Sequence, residues 1–146
     1  MNRTLIFFTL LFFMAAASQS QAVYITHDGN ASFVSDAPLQ VISASSEVLE
    51  GAKDLQSRSF AFTIDNSTFK GFNSALQQEH FYENYMEIQD FPTSTFEGKI
   101  IGEIDPAISA EQVVRAKGIL DIHGVQQERI IKGTIRIQGD ELHVNA

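Results

Sequence analysis

The chain has 146 residues, which is enough for one domain with a hydrophobic core but short for two. Its formal net charge of −8 argues against partners that select basic surfaces, namely nucleic acids and anionic membranes. The sequence contains no cysteine, which excludes a disulfide framework and a thiolate metal site, so the core alone must stabilise the fold.

The N-terminus has the pattern of a secretory signal peptide. A short positive start is followed by residues 5–13, which are almost continuously apolar, and Ser20-Gln21-Ala22 places small residues where a signal peptidase reads them. The apolar run is shorter than the ~20 residues that span a bilayer. We therefore expect residues 1–22 to be cleaved, with cleavage after Ala17 as the alternative. Residues 23–146 would then form one secreted or periplasmic domain without a permanent membrane anchor.

The beginning of this domain predicts short extended segments. Residues 23–26 and 31–35 have strand character and are separated by a turn-rich cluster at residues 27–30. Residues 40–51 are rich in Ser, Ala, Val and Ile without a clean period. We interpret them as extended structure that leads into a turn at residues 50–54.

Residues 59–65 give the clearest strand signal. Apolar and mostly polar side chains alternate, which predicts one buried and one solvated face: Phe60, Phe62 and Ile64 against Ala61, Thr63 and Asp65. The next three residues, Asn66-Ser67-Thr68, fit the glycosylation pattern, as do residues 30–32, but such short patterns also arise by chance.

Residues 75–88 contain neither glycine nor proline and are predicted to form the one sizeable helix of the domain. Asn73 or Ser74 can cap its N-terminus, with Gln77 as the partner of Ser74 in a weak capping box. Pro92 requires the helix to end before it. The spacing predicts an inward stripe and an acidic outward stripe: Phe81, Tyr85 and Met86 against Glu79, Glu83 and Glu87.

The rest of the chain predicts four strands, at residues 96–105, 112–122, 129–138 and 141–145. Each alternates apolar with polar residues, and short turns at His123-Gly124-Val125 and Gly139-Asp140 make neighbours antiparallel. Because one helix cannot cover so many apolar faces, the sheet is expected to close on itself. The sequence therefore predicts a mainly β protein, an antiparallel barrel with one inserted amphipathic helix.

Small residues recur on the apolar faces of these strands, and two interpretations remain open. Glycine in a strand interior can mark a bend at a barrel corner. It can also leave space for a ligand inside the barrel. The residues concerned are Gly98, Gly102, Ala116, Gly118 and Gly133.

The sequence offers no reactive centre. Its histidines are scattered, without the i,i+2 or i,i+4 spacing of a metal site: His27, His80, His123 and His143. It has no Gly-x-Ser-x-Gly elbow and no phosphate-binding loop. We therefore predict no catalytic residue, no metal ligand, no cofactor and no enzymatic activity.

Five segments of the domain together resemble one known family. They lie at residues 31–39, 49–54, 60–64, 69–96 and 118–125. The most specific part begins with Phe69-Lys70-Gly71-Phe72 and ends with Phe91-Pro92-Thr93-Ser94-Thr95-Phe96. In order and spacing they resemble the YceI-like family of exported lipid-binding proteins, whose antiparallel barrel is similar in design to that of lipocalins and holds a long isoprenoid or related tail.

The resemblance implies binding, storage or transport of an isoprenoid or other amphiphilic lipid in the periplasm of a Gram-negative bacterium. We expect no nucleic-acid partner. The alternative is a non-catalytic envelope protein with a filled core that acts through surface contacts with other proteins. On the lipid-binding hypothesis, the predicted tail-lining residues are Phe60, Phe62, Phe72, Phe81, Tyr85, Met86, Phe96, Ile100, Leu120 and Ile135.

The C-terminus departs from the family pattern, which normally adds further strands where this chain stops at Ala146. Two expectations follow: the sequence is a fragment, or the barrel is incomplete and open on one side. An open edge exposes unpaired backbone groups, through which a second copy could pair to form a homodimer.

Overall fold

The computed structural model describes residues 23–37 and 40–146. The predicted signal peptide, residues 1–22, lies outside the described residues, so its cleavage stays a prediction. In the described part of the chain, no helix has both the length and the apolar character needed to cross a membrane.

Seven antiparallel strands form one sheet in which each strand pairs with the next along the chain. The sheet curls into a nearly closed barrel with the first and last strands at its two edges, which confirms the predicted mainly β fold. The strands are β1 (Val23–Ala37), β2 (Gln40–Asp54), β3 (Ser59–Asp65), β4 (Thr93–Ile101), β5 (Gln112–Ile122), β6 (Val125–Gln138) and β7 (Glu141–Asn145).

The helical segment lies between β3 and β4. It comprises a 3₁₀ turn (Asn66–Thr68), helix α1 (Ala75–His80) and a π-helical turn (Phe81–Tyr85). The side chain of Ser74 accepts a hydrogen bond from the backbone N–H of Gln77 at 3.1 Å, which confirms one of the two predicted caps.

The prediction of one helix over residues 75–88 is wrong in its second half. Phe81 and Met86 are both buried, although five residues apart they would point about 140° from each other on an α-helix. The π turn, closed by a 2.9 Å hydrogen bond from Met86 N–H to Phe81 C=O, turns both side chains inward. Glu87 then ends the helix with a positive φ of 43°.

Two predicted turns in the first hairpin are also wrong. β1 continues through residues 27–30, because shifts in its register with β2 between Thr26 and Ala31 absorb the extra residues as bulges. β2 continues through residues 50–54 to Asp54, whose carboxylate accepts from the backbone N–H of Gln56 at 2.8 Å and forms the turn there.

The C-terminal strands agree more closely with the sequence pattern. β5 and β7 have the predicted bounds, whereas β4 is shifted toward the N-terminus and β6 begins at Val125 instead of residue 129. The β5–β6 turn has positive φ angles at His123 (55°) and Gly124 (70°), as a two-residue hairpin turn requires.

The small residues on β4 and β5 bring two backbones together. Gly98 and Gly118 lie directly opposite each other. A Cβ atom added to Gly98 would lie 2.1 Å from the carbonyl oxygen of Lys117 and 2.5 Å from Cα of Gly118. The neighbouring strand therefore occupies the space beside these glycines, which favours strand bending over a cavity at this position.

The buried residues form two clusters. The helix-side core consists of Ala44, Ile64, Phe69, Phe81 and Met86. The sheet core consists of Phe60, Ile100, Val114, Ile135 and Ile137. The barrel thus has two apolar centres, one under the helical segment and one between the strands.

Lys53 is a buried charge-bearing residue on β2. It lies directly opposite Phe60 of the sheet core, and 4 % of its surface is exposed. Its Nζ donates hydrogen bonds to the backbone carbonyl oxygens of Asp54 (2.6 Å) and Ser59 (3.3 Å). Burial lowers the pKa of Lys53 from 10.5 to about 8, because removal from water disfavours the ammonium form.

We predict that Gly98→Ala lowers the free energy of unfolding by about 1–3 kcal/mol, since the added methyl group must displace the backbone of β5. Urea unfolding of the wild type and the variant measures the change. The control is Lys99→Ala on the exposed face of the same strand, with an expected change within about 0.5 kcal/mol. Equal stability of the two variants would contradict the close backbone approach.

We predict that the free energy of unfolding rises at alkaline pH because of the lowered pKa of Lys53. Its pKa is lower in the folded protein than in the unfolded chain, so between about pH 8 and 10.5 the unfolded chain binds more protons and the free energy of unfolding rises with pH. Lys53→Met should remove this rise and increase stability near neutral pH by about 1–3 kcal/mol.

Urea unfolding at neutral pH and at about pH 10 measures this difference between the wild type and Lys53→Met. Subtraction of the two pH profiles cancels groups that titrate equally in both proteins. Lys99→Met is the exposed control and should follow the wild-type profile. Parallel profiles for wild type and Lys53→Met would refute the assignment.

Candidate functional site

A cleft of about 420 Å³ opens between the first hairpin and the helical segment, and we call it the aromatic cleft. β1 and β2 form one wall, and α1 with the π turn forms the other. Its volume is within the range of small-molecule binding sites. It is lined by Phe33, Ser35, Ile42, Ser74, Leu76, Gln77, His80, Phe81 and Tyr85.

Stacked aromatic rings form the floor of the cleft. The rings of Phe33 and Phe81 are nearly parallel, with centroids 5.1 Å apart. Phe72 contacts Phe81 at 5.0 Å, and Phe69 contacts Phe33 edge-on at 5.4 Å. This arrangement joins the cleft to the helix-side core, so its floor is rigid and apolar.

The rim of the cleft is apolar but exposed. Leu76 is 59 % exposed and Tyr85 is 63 % exposed. Tyr85 was predicted to face inward, and the π turn places it on the rim instead. Exposed large apolar side chains beside an apolar cavity are typical of a surface that a ligand covers.

Polar contacts join the helical segment to the first hairpin, to itself and to the β5–β6 turn. Backbone hydrogen bonds of 2.8 Å in each direction join Ser45 of β2 to Lys70. The hydroxyl of Tyr82 donates to the carbonyl oxygen of Phe69 at 2.6 Å. The Glu87 carboxylate lies 2.7 Å from Nε2 of His123 in the β5–β6 turn. The helical wall is therefore fixed at its start, middle and end.

Asn66 joins the two ends of the helical segment. It is fully buried, its Nδ2 donates to the carbonyl oxygen of Phe91 at 2.9 Å, and its Oδ1 accepts from the hydroxyl of Ser94 at 2.8 Å. Its backbone N–H donates to the carbonyl oxygen of Pro92 at 2.8 Å. Because the side chain of Asn66 is buried and hydrogen-bonded, Asn66-Ser67-Thr68 has a structural role and leaves no room for a glycan.

The predicted tail-lining residues are divided among four places. Phe81 and Tyr85 line the aromatic cleft, while Met86 is buried in the helix-side core and Phe72 packs against that core. Leu120 is half-buried on β5. The other five belong to or pack against the sheet core: Phe60, Phe62, Phe96, Ile100 and Ile135.

Ring contacts fill much of the space near the sheet core. The ring of Phe60 lies 4.9 Å from that of Phe96 and 5.8 Å from that of Phe62. The ring of Phe62 also covers Gly51, where an added Cβ would approach it to 2.6 Å. A ligand role for the residues around the sheet core stays a prediction.

The sequence did not single out Phe33, Ile42, Leu76 or Gln77 as site residues. They come from β1, β2 and α1, and tertiary packing alone brings them together. The sequence predicts a capping box between Ser74 and Gln77, and the backbone N–H of Gln77 does donate to Ser74, but the Gln77 side chain does not return a bond to the backbone N–H of Ser74. Its Oε1 accepts from the backbone N–H of Asn73 at 2.9 Å. The polar residues at the start of the helix were therefore the one sequence signal that pointed to any of these four residues.

The cleft has the composition of a binding site. Its nine described lining residues include no carboxylate, lysine or arginine. Its hydroxyl and imidazole groups are on Ser35 of β1, on Ser74 before α1, on His80 at the end of α1 and on Tyr85 of the π turn. The arrangement can bury an apolar group and offer a few hydrogen bonds to it.

The model of the YceI-like domain matches residues 15–145, which is most of the sequence. The chain belongs to the YceI-like family. No functionally curated protein matches the chain.

A solved polyisoprenoid binding domain shares the fold. A polyisoprenoid binding domain from Saccharophagus degradans, implicated in plant cell wall breakdown, is 13 % identical with a TM-score of 0.66; the match covers 86 % of this chain and 74 % of that one. BcnA from Burkholderia cenocepacia is 14 % identical, with a TM-score of 0.45 and coverage of 79 % and 60 %.

The YceI protein of Campylobacter jejuni is 13 % identical, with a TM-score of 0.44 and coverage of 92 % of this chain and 69 % of that one. The scores of the Burkholderia and Campylobacter proteins lie below 0.5, so the fold comparison rests on the Saccharophagus domain. At such low identity the similarity concerns the backbone, and the side chains of the cleft must be read from this chain itself.

Asn66→Ala is predicted to lower the free energy of unfolding of this YceI-like protein by about 1–3 kcal/mol, because it leaves the buried carbonyl of Phe91 and hydroxyl of Ser94 without their partner. Thermal or urea unfolding measures the loss. The control is Ser67→Ala at the exposed neighbouring position, where we expect a change within about 0.5 kcal/mol. A stability loss no larger than that of the control would show that Asn66 does not hold the segment.

Proposed function

We propose that this protein binds the apolar tail of an isoprenoid or similar long-chain lipid, with the aromatic cleft as its entry site. The observation that carries the proposal is an apolar cleft with an aromatic floor and an exposed apolar rim. Membership of the YceI-like family and the fold shared with a polyisoprenoid binding domain agree with it.

The size of the cleft indicates how such a lipid would bind. A volume of about 420 Å³ is near the lower end of small-molecule sites, so it accommodates one end of a long lipid and not the whole. The remaining tail would cover Leu76 and Tyr85 at the rim. Burial of this apolar surface would stabilise the complex by roughly 25 cal/mol per Å².

The proposed role is binding, storage or transport and not catalysis. The cleft supplies apolar surface and few polar groups, and the described lining residues offer no acid, base and nucleophile in mutual contact. We propose that the protein is exported and is periplasmic or secreted, because the pattern of residues 1–22 is that of an export signal.

The direct test is denaturing lipid extraction of the purified protein followed by mass spectrometry, together with uptake of an added isoprenoid by lipid-free protein. We expect a co-purified or incorporated lipid at near-stoichiometric amounts. If neither is observed, the binding hypothesis fails, and the alternative of a filled barrel acting through surface contacts becomes the better account.

A substitution at the rim of the aromatic cleft tests whether the lipid tail binds there. Leu76→Asp should weaken binding of an isoprenoid tail about tenfold or more, because a charged group replaces apolar contact area. Ile130→Asp on β6 is the matched control, since Ile130 is 58 % exposed against 59 % for Leu76 and does not line the cleft. Equal affinities for the two variants would place the tail elsewhere.

A further inference from the structure

Four basic side chains lie together on the outer face of the sheet, and we call them the basic block. Lys99 of β4 lies directly opposite Lys117 of β5, and Arg115 of β5 lies directly opposite Lys132 of β6. Arg115 and Lys117 are two residues apart on one strand, so all four side chains share a face. All four are exposed, whereas Ile100 on the opposite face is buried in the sheet core.

This clustering costs stability. Like charges directly opposite each other on antiparallel strands destabilise a sheet, and the basic block contains two such pairs side by side. Lys117 forms an ion pair with Glu128 at 3.1 Å, but Lys99, Arg115 and Lys132 have no carboxylate partner among the described residues. An arrangement that opposes stability in this way is expected where a surface has a function.

The acidic character of the whole chain does not cancel this local charge. The basic block holds four of the ten lysine and arginine residues of a chain whose formal net charge is −8. On the same face Glu97 and Glu128 lie one row away, both opposite Ile119. Exposed charges farther apart than about 8 Å are largely screened at physiological ionic strength. An anionic surface in contact with the block therefore meets mainly positive charge.

The composition of this face favours a lipid bilayer over an acidic protein as the anionic partner. Three of the four cations are lysines, and lysine is depleted at protein–protein interfaces. Lysine can lay its apolar stem along a surface while its ammonium group reaches lipid phosphates. Apolar side chains are exposed beside the block, namely Ile101 (36 %) and Val113 (67 %). Cations together with exposed apolar groups on a sheet surface suit a flat, anionic interface.

We propose that the basic block docks this protein on an anionic phospholipid bilayer. The lysine and arginine side chains lie at the lipid phosphates, and Ile101 and Val113 lie at the interface. Each cation near such a surface adds a modest attraction, so the docking is peripheral and reversible. The inference goes beyond the proposed lipid binding, because it concerns the outer face of the sheet and requires no ligand in the aromatic cleft.

Vesicle flotation tests the docking. Residues 23–146, which include all seven strands, are used so that the apolar segment at residues 5–13 does not itself bind vesicles. At low ionic strength we expect phosphatidylcholine vesicles with about 30 % phosphatidylglycerol to bind the protein about tenfold or more tightly than vesicles of phosphatidylcholine alone. Salt at about 0.5 M should abolish this difference by screening.

Substitutions locate the docking surface. Lys99→Gln combined with Lys132→Gln removes one cation from each pair and should weaken binding to the anionic vesicles about tenfold or more. Lys99→Arg combined with Lys132→Arg keeps both charges and should stay within about threefold of the wild type. Lys70→Gln combined with Arg129→Gln removes the same charge at exposed positions outside the block, and it should also stay within about threefold.

The outcomes decide the proposal. If the wild type binds neither kind of vesicle, or binds both equally, an anionic membrane is the wrong partner. If both pairs of glutamine substitutions weaken binding equally, net charge and not the basic block drives the docking, and the assignment is overturned. The wild-type comparison stands even where a variant does not fold. Uptake of an isoprenoid in the aromatic cleft is measured separately, so failure of one proposal leaves the other untouched.

Discussion

The contact between Phe81 and Phe33 is the interaction on which the site depends. Phe33 lies on β1, an edge of the sheet, and the two ring centroids are 5.1 Å apart in a nearly parallel stack. The helical segment covers this hairpin, with Phe81 packed against Phe33 and Lys70 paired with Ser45 of β2. The helical segment packs against the hairpin in the helix-side core but separates from it toward the rim, and the aromatic cleft is the space between them.

The π turn gives the helical segment two different surfaces within five residues. It turns Phe81 and Met86 into the helix-side core and leaves Tyr85 at the rim of the cleft. A regular α-helix could not place both buried residues on one face. Wide turns of this kind are often found at functional sites, and here the turn forms both floor and rim.

The two ends of the barrel differ in how they are filled. Around the sheet core, the rings of Phe60 and Phe96 and the close backbones at Gly98 and Gly118 occupy the interior. Around the helix-side core, the packing ends at a cleft lined by Gln77, whose buried Nε2 has no acceptor among the described residues. The described sheet core is therefore filled by its own side chains, whereas the packing beside the helix-side core ends at an open cleft.

Local patterns in the sequence determined the mainly β fold, the bounds of β5 and β7, a turn after Ile122 and a helix cap at Asn73 or Ser74. Each depends on alternation, turn chemistry or capping within a few residues. The tertiary structure alone decided the continuation of β1 through its polar cluster and the π turn at Phe81, because pairing with β2 and burial of two aligned side chains outweigh local preference. It also decided the aromatic cleft. Phe33 and Gln77 lie 44 positions apart, and no local pattern shows that one becomes its floor and the other its buried donor.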